Sequence, residues 1–313
     1  MKKFFWLTIC LVIIIFMALY VIWKIQESPQ KEIPSPAKAI FSAIDSRGKE
    51  IVLEQKPQRI VSLAPSNTEI LFALGLDKEI VGITDYCDYP PEKVASKEKI
   101  GGFATPNLEK IISLNPDVVF TTSGVQKQAI ERLEELDIKV YVLEAETVED
   151  LLAQIKNLGK LTGKSQEAQD LTVILDKRVR VVQEKTSNLP DDQRPKVFLE
   201  IWHDPLWTAP TRTLIYQIIE LAGGRHVVSI EGDWNQITTV DPESVIDANP
   251  DVIFLAFTGS DPEAVYRLAG WGAVSAVKNR KVFQIDPNII SRPGPRIIDA
   301  LEQIAKILYP DLF

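Results

Sequence analysis

Glu109-Lys-Ile-Ile-Ser-Leu-Asn-Pro116-Asp117-Val-Val-Phe120 returns later in the chain as Glu243-Ser-Val-Ile-Asp-Ala-Asn-Pro250-Asp251-Val-Ile-Phe254, identical at seven of twelve positions. Each copy reads as one helix-to-strand unit. Asn107 or Asp241 is placed to cap a short helix with glutamate at its second position, and Pro242 suits the first. Asn-Pro ends the helix, because the ring disfavours helical backbone in the residue before it. Asp-Val-[Val/Ile]-Phe then opens a buried strand. Two copies of one unit imply two related lobes.

Around these units strands and helices alternate. Arg59 to Leu63 is short, apolar and closed by Ala64-Pro65-Ser66, the pattern of a buried parallel strand. Ser66 or Asn67 is placed to cap a helix over Thr68 to Leu74, which Gly75 stops. Further strands are expected at Ile80 to Ile83, Val118 to Thr121, Val140 to Leu143 and Lys196 to Ile201. Helices are expected at Lys110 to Leu114 and Gln126 to Leu136, and a hairpin over 40–53 turns at Ser46-Arg47-Gly48. The alternation implies parallel α/β layers. Between the halves, Ser165 to Thr186 runs without Gly or Pro, and Leu171, Ile174, Leu175, Val179 and Val182 recur at helical steps. This is either a strut joining two lobes or an ordinary amphipathic helix.

At 313 residues the chain exceeds what one core usually serves, which agrees with two lobes. A net charge of −8 argues against a nucleic-acid partner. Two cysteines, Cys10 and Cys87, offer no disulfide framework, and two histidines, His203 and His226, make a His-rich metal site a poor reading. With no nucleophile elbow, P-loop or G-x-G-x-x-G, neither an enzyme nor a resident cofactor or metal is expected.

Residues 4–23 are twenty nearly uninterrupted apolar residues, enough to cross a bilayer as a helix, and Lys2 and Lys3 precede them. They are read as an uncleaved membrane anchor with the rest of the chain outside; a cleaved signal is the second choice. Ile9 before Cys10 is a poor fit to a lipoprotein cleavage site. The expected organisation is anchor or signal 1–24, a proline-bearing tether 25–38, a first α/β lobe 39–162, a linking helix 163–188 and a second α/β lobe 189–313.

Arg59-Ile-Val-Ser-Leu-Ala-Pro-Ser-Asn-Thr-Glu69, Asp88-Tyr-Pro-Pro91, Gly101 to Glu109, Asn115-Pro-Asp117 and Arg292-Pro-Gly-Pro-Arg296 together resemble the cobalamin-binding proteins of ABC importers. The resemblance spans about residues 40–313. It is specific to a superfamily shared with siderophore and haem binders, and less specific for the ligand. It implies two Rossmann-like lobes joined by a single long backbone helix, the class III periplasmic binding protein fold. It also implies a ligand-binding set of Tyr86, Phe103, Trp207, Trp234 and Arg292. Two departures from the family pattern are Thr122, in place of a tryptophan, and Asn288, in place of an acidic residue.

Glu109 and Glu243 carry two readings: favourable interaction with the helix dipole, or exposed carboxylates offered to a basic partner. The resemblance favours the second, with both glutamates docking on arginines of a transmembrane permease that works with an ATPase. Cobalamin or another corrinoid is then the cargo of a monomeric receptor, and a ferric siderophore or haem is the alternative. His203, near Trp202 and Trp207 just past a strand, is either a satisfied loop residue or a cobalt ligand. Cys87 reads as an inert small residue and Trp271 as core.

Overall fold

A computed structural model describes residues 17–21, 23–24, 41–234 and 237–313. The chain divides into Met1–Ala39 and Ile40–Phe313, and the second unit is described here. The expected anchor 4–23 and tether 25–38 lie outside the described residues, apart from 17–21 and 23–24. Among the described residues no helix is long and apolar enough to cross a membrane.

The unit opens with an antiparallel hairpin, β1 (Phe41–Ile44) and β2 (Glu50–Leu53), in which Phe41 faces Leu53. The first sheet is built from β3 (Ile60–Ser62), α1 (Pro65–Ala73), β4 (Ile80–Ile83), α2 (Pro91–Val94), β5 (Glu98–Lys99), α3 (Leu108–Ser113), β6 (Val118–Thr121), α4 (Lys127–Glu135) and β7 (Val140–Val142). Its strands run parallel in the order β5-β4-β3-β6-β7. Two helices follow, α5 (Val148–Thr162) and α6 (Ser165–Thr186).

The second sheet follows with β8 (Lys196–Glu200), α7 (Leu214–Leu221), β9 (Arg225–His226), α8 (Pro242–Ala248), β10 (Val252–Leu255), α9 (Pro262–Val265), α10 (Ser275–Lys278), β11 (Val282–Gln284), α11 (Pro287–Ile290) and α12 (Ile297–Leu308). It too is parallel, ordered β9-β8-β10-β11. The two orders superpose as β4-β3-β6-β7 on β9-β8-β10-β11, so the repeat in sequence is a repeat in topology. β3, β6 and β10 are buried along their whole length, as parallel strands covered by helices on both faces must be.

The repeated unit folds as its residues dictate. Asn107 accepts from the backbone N–H of Lys110, and Asp241 from that of Glu243. Asn115 and Asn249, each before its proline, sit at φ 44° and 48°, the left-handed region that asparagine tolerates.

Two expectations are corrected. α1 starts three residues earlier than Thr68, at Pro65, with proline in the first turn and no side-chain cap. Asn67 instead spends its amide across the fold, donating Nδ2 to the Thr121 carbonyl at 3.0 Å and tying α1 to the end of β6. Val148–Thr162 is a helix where none was expected. It carries a full capping box between Thr147 and Asp150, and it ends at Gly163 with φ 68°.

α6 has the expected limits and packs on both α5 and α12. Where α5 meets α6, a Cβ on Gly159 would stand 2.4 Å from Ala168 Cβ and 2.8 Å from the Lys164 carbonyl oxygen, so only glycine fits. On its other side Arg178 binds Glu302 through Nε and Nη2, each at 2.8 Å, and Asp299 at 2.7 Å, both on α12.

Candidate functional site

Segments that follow the carboxyl ends of strands in the first sheet come together around two adjoining cavities. The smaller, about 450 Å³, is lined by Ala64–Ser66 after β3, Tyr86 after β4, Phe103, Thr122 after β6, and Arg292 and Pro293 from the second half. The larger, about 1130 Å³, runs past Phe103, Thr122 and Pro293 towards Glu144 and Glu146 after β7, and reaches Arg212 and Trp234. Clefts at strand carboxyl ends are where α/β proteins bind ligands, because the loops there vary without disturbing the sheet.

The five expected ligand residues do not all meet. Tyr86, Phe103 and Arg292 share the smaller cavity, and Phe103 and Trp234 share the larger. Tyr86 and Trp234 both have exposed rings. Trp207 lines neither cavity: it is half-buried, and its backbone pairs with Trp202, the Trp207 N–H donating to the Trp202 carbonyl at 2.9 Å. The loop carrying it folds back on itself. Trp271 is core, as expected.

Arg292 is in the cavity wall but heavily engaged. Nη1 and Nη2 donate to Asp88 at 2.5 and 3.0 Å, Nη1 also reaches Glu69 at 3.2 Å, and Nη2 donates to Asn288 Oδ1 at 2.5 Å. Arg296 donates Nε and Nη2 to the same Glu69 carboxylate at 2.9 and 2.6 Å and stacks its guanidinium 4.0 Å from the Tyr89 ring centroid. The Arg292 hydrogen bonds hold the Asp88 carboxyl below its ordinary range. Asn288, the departure noted above, supplies a neutral acceptor to a guanidinium that already has two carboxylates.

The other cations of the lining are matched too. Arg47 meets Asp45 at 2.8 Å and Glu134 at 2.9 Å, Arg212 meets Asp233 at 3.4 Å, and Lys127 meets Glu131 at 4.0 Å. Every lysine and arginine in the walls therefore faces an acid. Glu144 is fixed by the Ser123 hydroxyl and by the Ser123 N–H at 3.1 Å.

Glu109 and Glu243 occupy the second positions of α3 and α8, equivalent helices of the two halves, and both are exposed. Neither enters an ion pair among the described residues. Cys87 is buried, contacted by Thr68 and Thr84 hydroxyls, and burial pushes its thiol up, away from the reactive thiolate. No group of three metal-ligating side chains exists among the described residues.

Sequence reasoning passed over Glu69, Asp88, Glu144 and the Arg212–Asp233 pair. Glu69 and Asp88 lie inside the motifs that carried the resemblance, but their partners are over two hundred residues away and leave no local signal.

The chain is 32% identical over 274 residues to the uncharacterized ABC transporter substrate-binding lipoprotein YvrC of Bacillus subtilis, covering 86% of this chain and 85% of that one. It is 27% identical over 254 residues to the vitamin B12-binding protein of Vibrio vulnificus, covering 80% and 89%. Among solved structures it matches the periplasmic vitamin B12 binding protein BtuF of Vibrio cholerae with a TM-score of 0.70 and 25% identity, over 82% of this chain and 98% of that one. The periplasmic binding protein family model matches residues 60–289, and the chain belongs to that family.

Proposed function

We propose that this protein captures cobalamin or a related corrinoid outside the cytoplasm and delivers it, unaltered, to the permease of an ABC importer. The coarser part is plain from its relatives: the chain is a substrate-binding protein of an ABC importer, not an enzyme. The choice of corrinoid is supported by one observation above the rest, the charge matching of the cleft. Haem propionates and ferric catecholate or hydroxycarboxylate siderophores are anionic and call for spare cations. Here Arg47, Lys127, Arg212 and Arg292 are each compensated by a carboxylate. A broad, neutral macrocycle edged with amides asks instead for aromatic faces and scattered acceptors. Tyr86, Phe103, Trp234 and the fixed Glu144 offer these.

On this reading no cofactor is required and the receptor works as a monomer. The segment 4–23 keeps it at the membrane, as an anchor or, if cleaved, as an export signal. Glu109 and Glu243 dock on basic residues of the permease, one from each half. Calorimetric titration of the full-length chain with cyanocobalamin is expected to release heat at one site per molecule. No heat with cyanocobalamin, beside saturable binding of haem or a ferric siderophore, would replace the corrinoid with that ligand.

A further inference from the structure

His203 follows β8, three residues beyond Glu200, and its Nδ1 lies 2.7 Å from Glu200 Oε1. The Glu200 side chain is 0% exposed and its other oxygen, Oε2, has no hydrogen-bond partner. A buried, half-satisfied carboxylate is costly to keep. It does, however, do one thing well: it orients an imidazole. With Nδ1–H donated to the carboxylate, Nε2 carries the lone pair, the arrangement found behind metal-bound histidines.

The ring is accessible. The His203 side chain is 48% exposed and lies nearly parallel to Phe257, with 18° between planes and centroids 6.3 Å apart. No described residue bonds Nε2. Its position matters as much as its orientation. β8 and β10 correspond to β3 and β6, and the segments directly after β3 and β6 line the smaller cavity of the cleft. His203 after β8 and Phe257 after β10 hold the corresponding places in the second half, outside the lining of the two cavities themselves.

We infer that His203 Nε2 is an axial ligand for the cobalt of a corrinoid that arrives with water on its upper face, and that Glu200 is its positioning residue. The inference rests on the corrinoid reading above. The step is a ligand substitution. The cobalt–oxygen bond to water breaks and the water leaves. The Nε2 lone pair forms the new bond, cobalt stays trivalent, and the proton stays on Nδ1 against Glu200. Cyanocobalamin, whose upper face holds cyanide, binds the same cleft without this bond.

Visible spectra and titrations of the full-length chain with aquocobalamin and with cyanocobalamin test it. The aquocobalamin bands are expected to move to longer wavelength on binding, while those of cyanocobalamin stay put. His203→Ala and His203→Gln should abolish the movement and weaken aquocobalamin at least about tenfold, while cyanocobalamin, which makes no bond to Nε2, still binds. Glu200→Gln should weaken aquocobalamin about tenfold and leave cyanocobalamin unchanged. The exposed His203 variants keep the test valid if the buried Glu200 variant fails to fold. Bound aquocobalamin with an unshifted spectrum, or an equal shift in His203→Ala, overturns the inference alone. Failure of both corrinoids to bind overturns the corrinoid reading and the inference with it.

Discussion

In a Glu69→Ala variant, two guanidiniums lose the carboxylate that joins them to α1 of the first half. Glu69 is 4% exposed on α1 and accepts three hydrogen bonds, from Arg292 at 3.2 Å and from Arg296 at 2.9 and 2.6 Å. The arginines are also shielded, with side chains 15% and 17% exposed. Arg292 would keep Asp88 and Asn288, whereas Arg296 would keep only its stacking on Tyr89. Breaking a buried pair by removing one partner costs about 3–5 kcal/mol, chiefly because a charge is left stranded. With Arg292 retaining partners, the lower end applies, about 3 kcal/mol. At about 2 °C per kcal/mol for a body of this size, the melting temperature should fall by about 6 °C.

Urea and thermal denaturation of wild type, Glu69→Ala and Glu69→Gln would measure it. Gln keeps the shape and two acceptor lone pairs, so it should recover part of the loss. A fall below about 1 kcal/mol in Glu69→Ala, the range of an exposed ion pair, would refute the claim that this carboxylate pins the two halves together.

Asp88 is half-exposed, so Asp88→Asn should cost little stability, but it frees charge on Arg292; titration with an anionic ligand such as haem should show tighter binding than wild type. Trp234→Ala should weaken cyanocobalamin by about 1 kcal/mol, roughly fivefold, through loss of an aromatic face, while Trp207→Ala should alter melting more than affinity; calorimetry separates the two. Glu109→Ala with Glu243→Ala should leave affinity intact and reduce uptake in cells, and unchanged uptake would remove the docking role. Burial pushes His226, whose Nδ1 has no partner, down to about 4, so the folded state binds its proton less readily than the unfolded one. That stability is present above the unfolded value of about 6.5 and is lost as pH falls towards 4, about 2 kcal/mol by pH 5. Glu200, raised by burial, titrates in the opposite sense, so the measurement is the difference between wild type and His226→Phe from pH 7 to 5; parallel curves would refute it.

The local grammar of this fold is written in short segments. The limits of Ser165–Thr186 were legible because Gly163 and Pro190 bracket it, and the Asn-Pro-Asp repeat carries its own caps and stop. Val148–Thr162 was legible in principle, from Thr147, Asp150 and Gly163, yet its Gly159 blurs the pattern until Ala168 is seen packed against it. The site is a different matter. Trp207 and Trp234 look equivalent as residue types, and only the loop that pairs Trp207 with Trp202 separates them. Likewise Arg292 reads as a free ligand group until the distant Glu69 and Asp88 are brought to it.

That distant pairing also bears on how the cleft works. α12 belongs to the second half by sequence, yet Arg296, immediately before its first residue, is bound to Glu69 of the first half. Further along, Asp299 and Glu302 hold Arg178 of α6. The second half is therefore tied at one end of α12 to α1 of the first half and, further along α12, to α6. A wide hinge would have to break a shielded double ion pair and a three-bond arginine cluster together. A small rotation of one sheet against the other is compatible with both sets of bonds, so closure of the cleft is expected to be small.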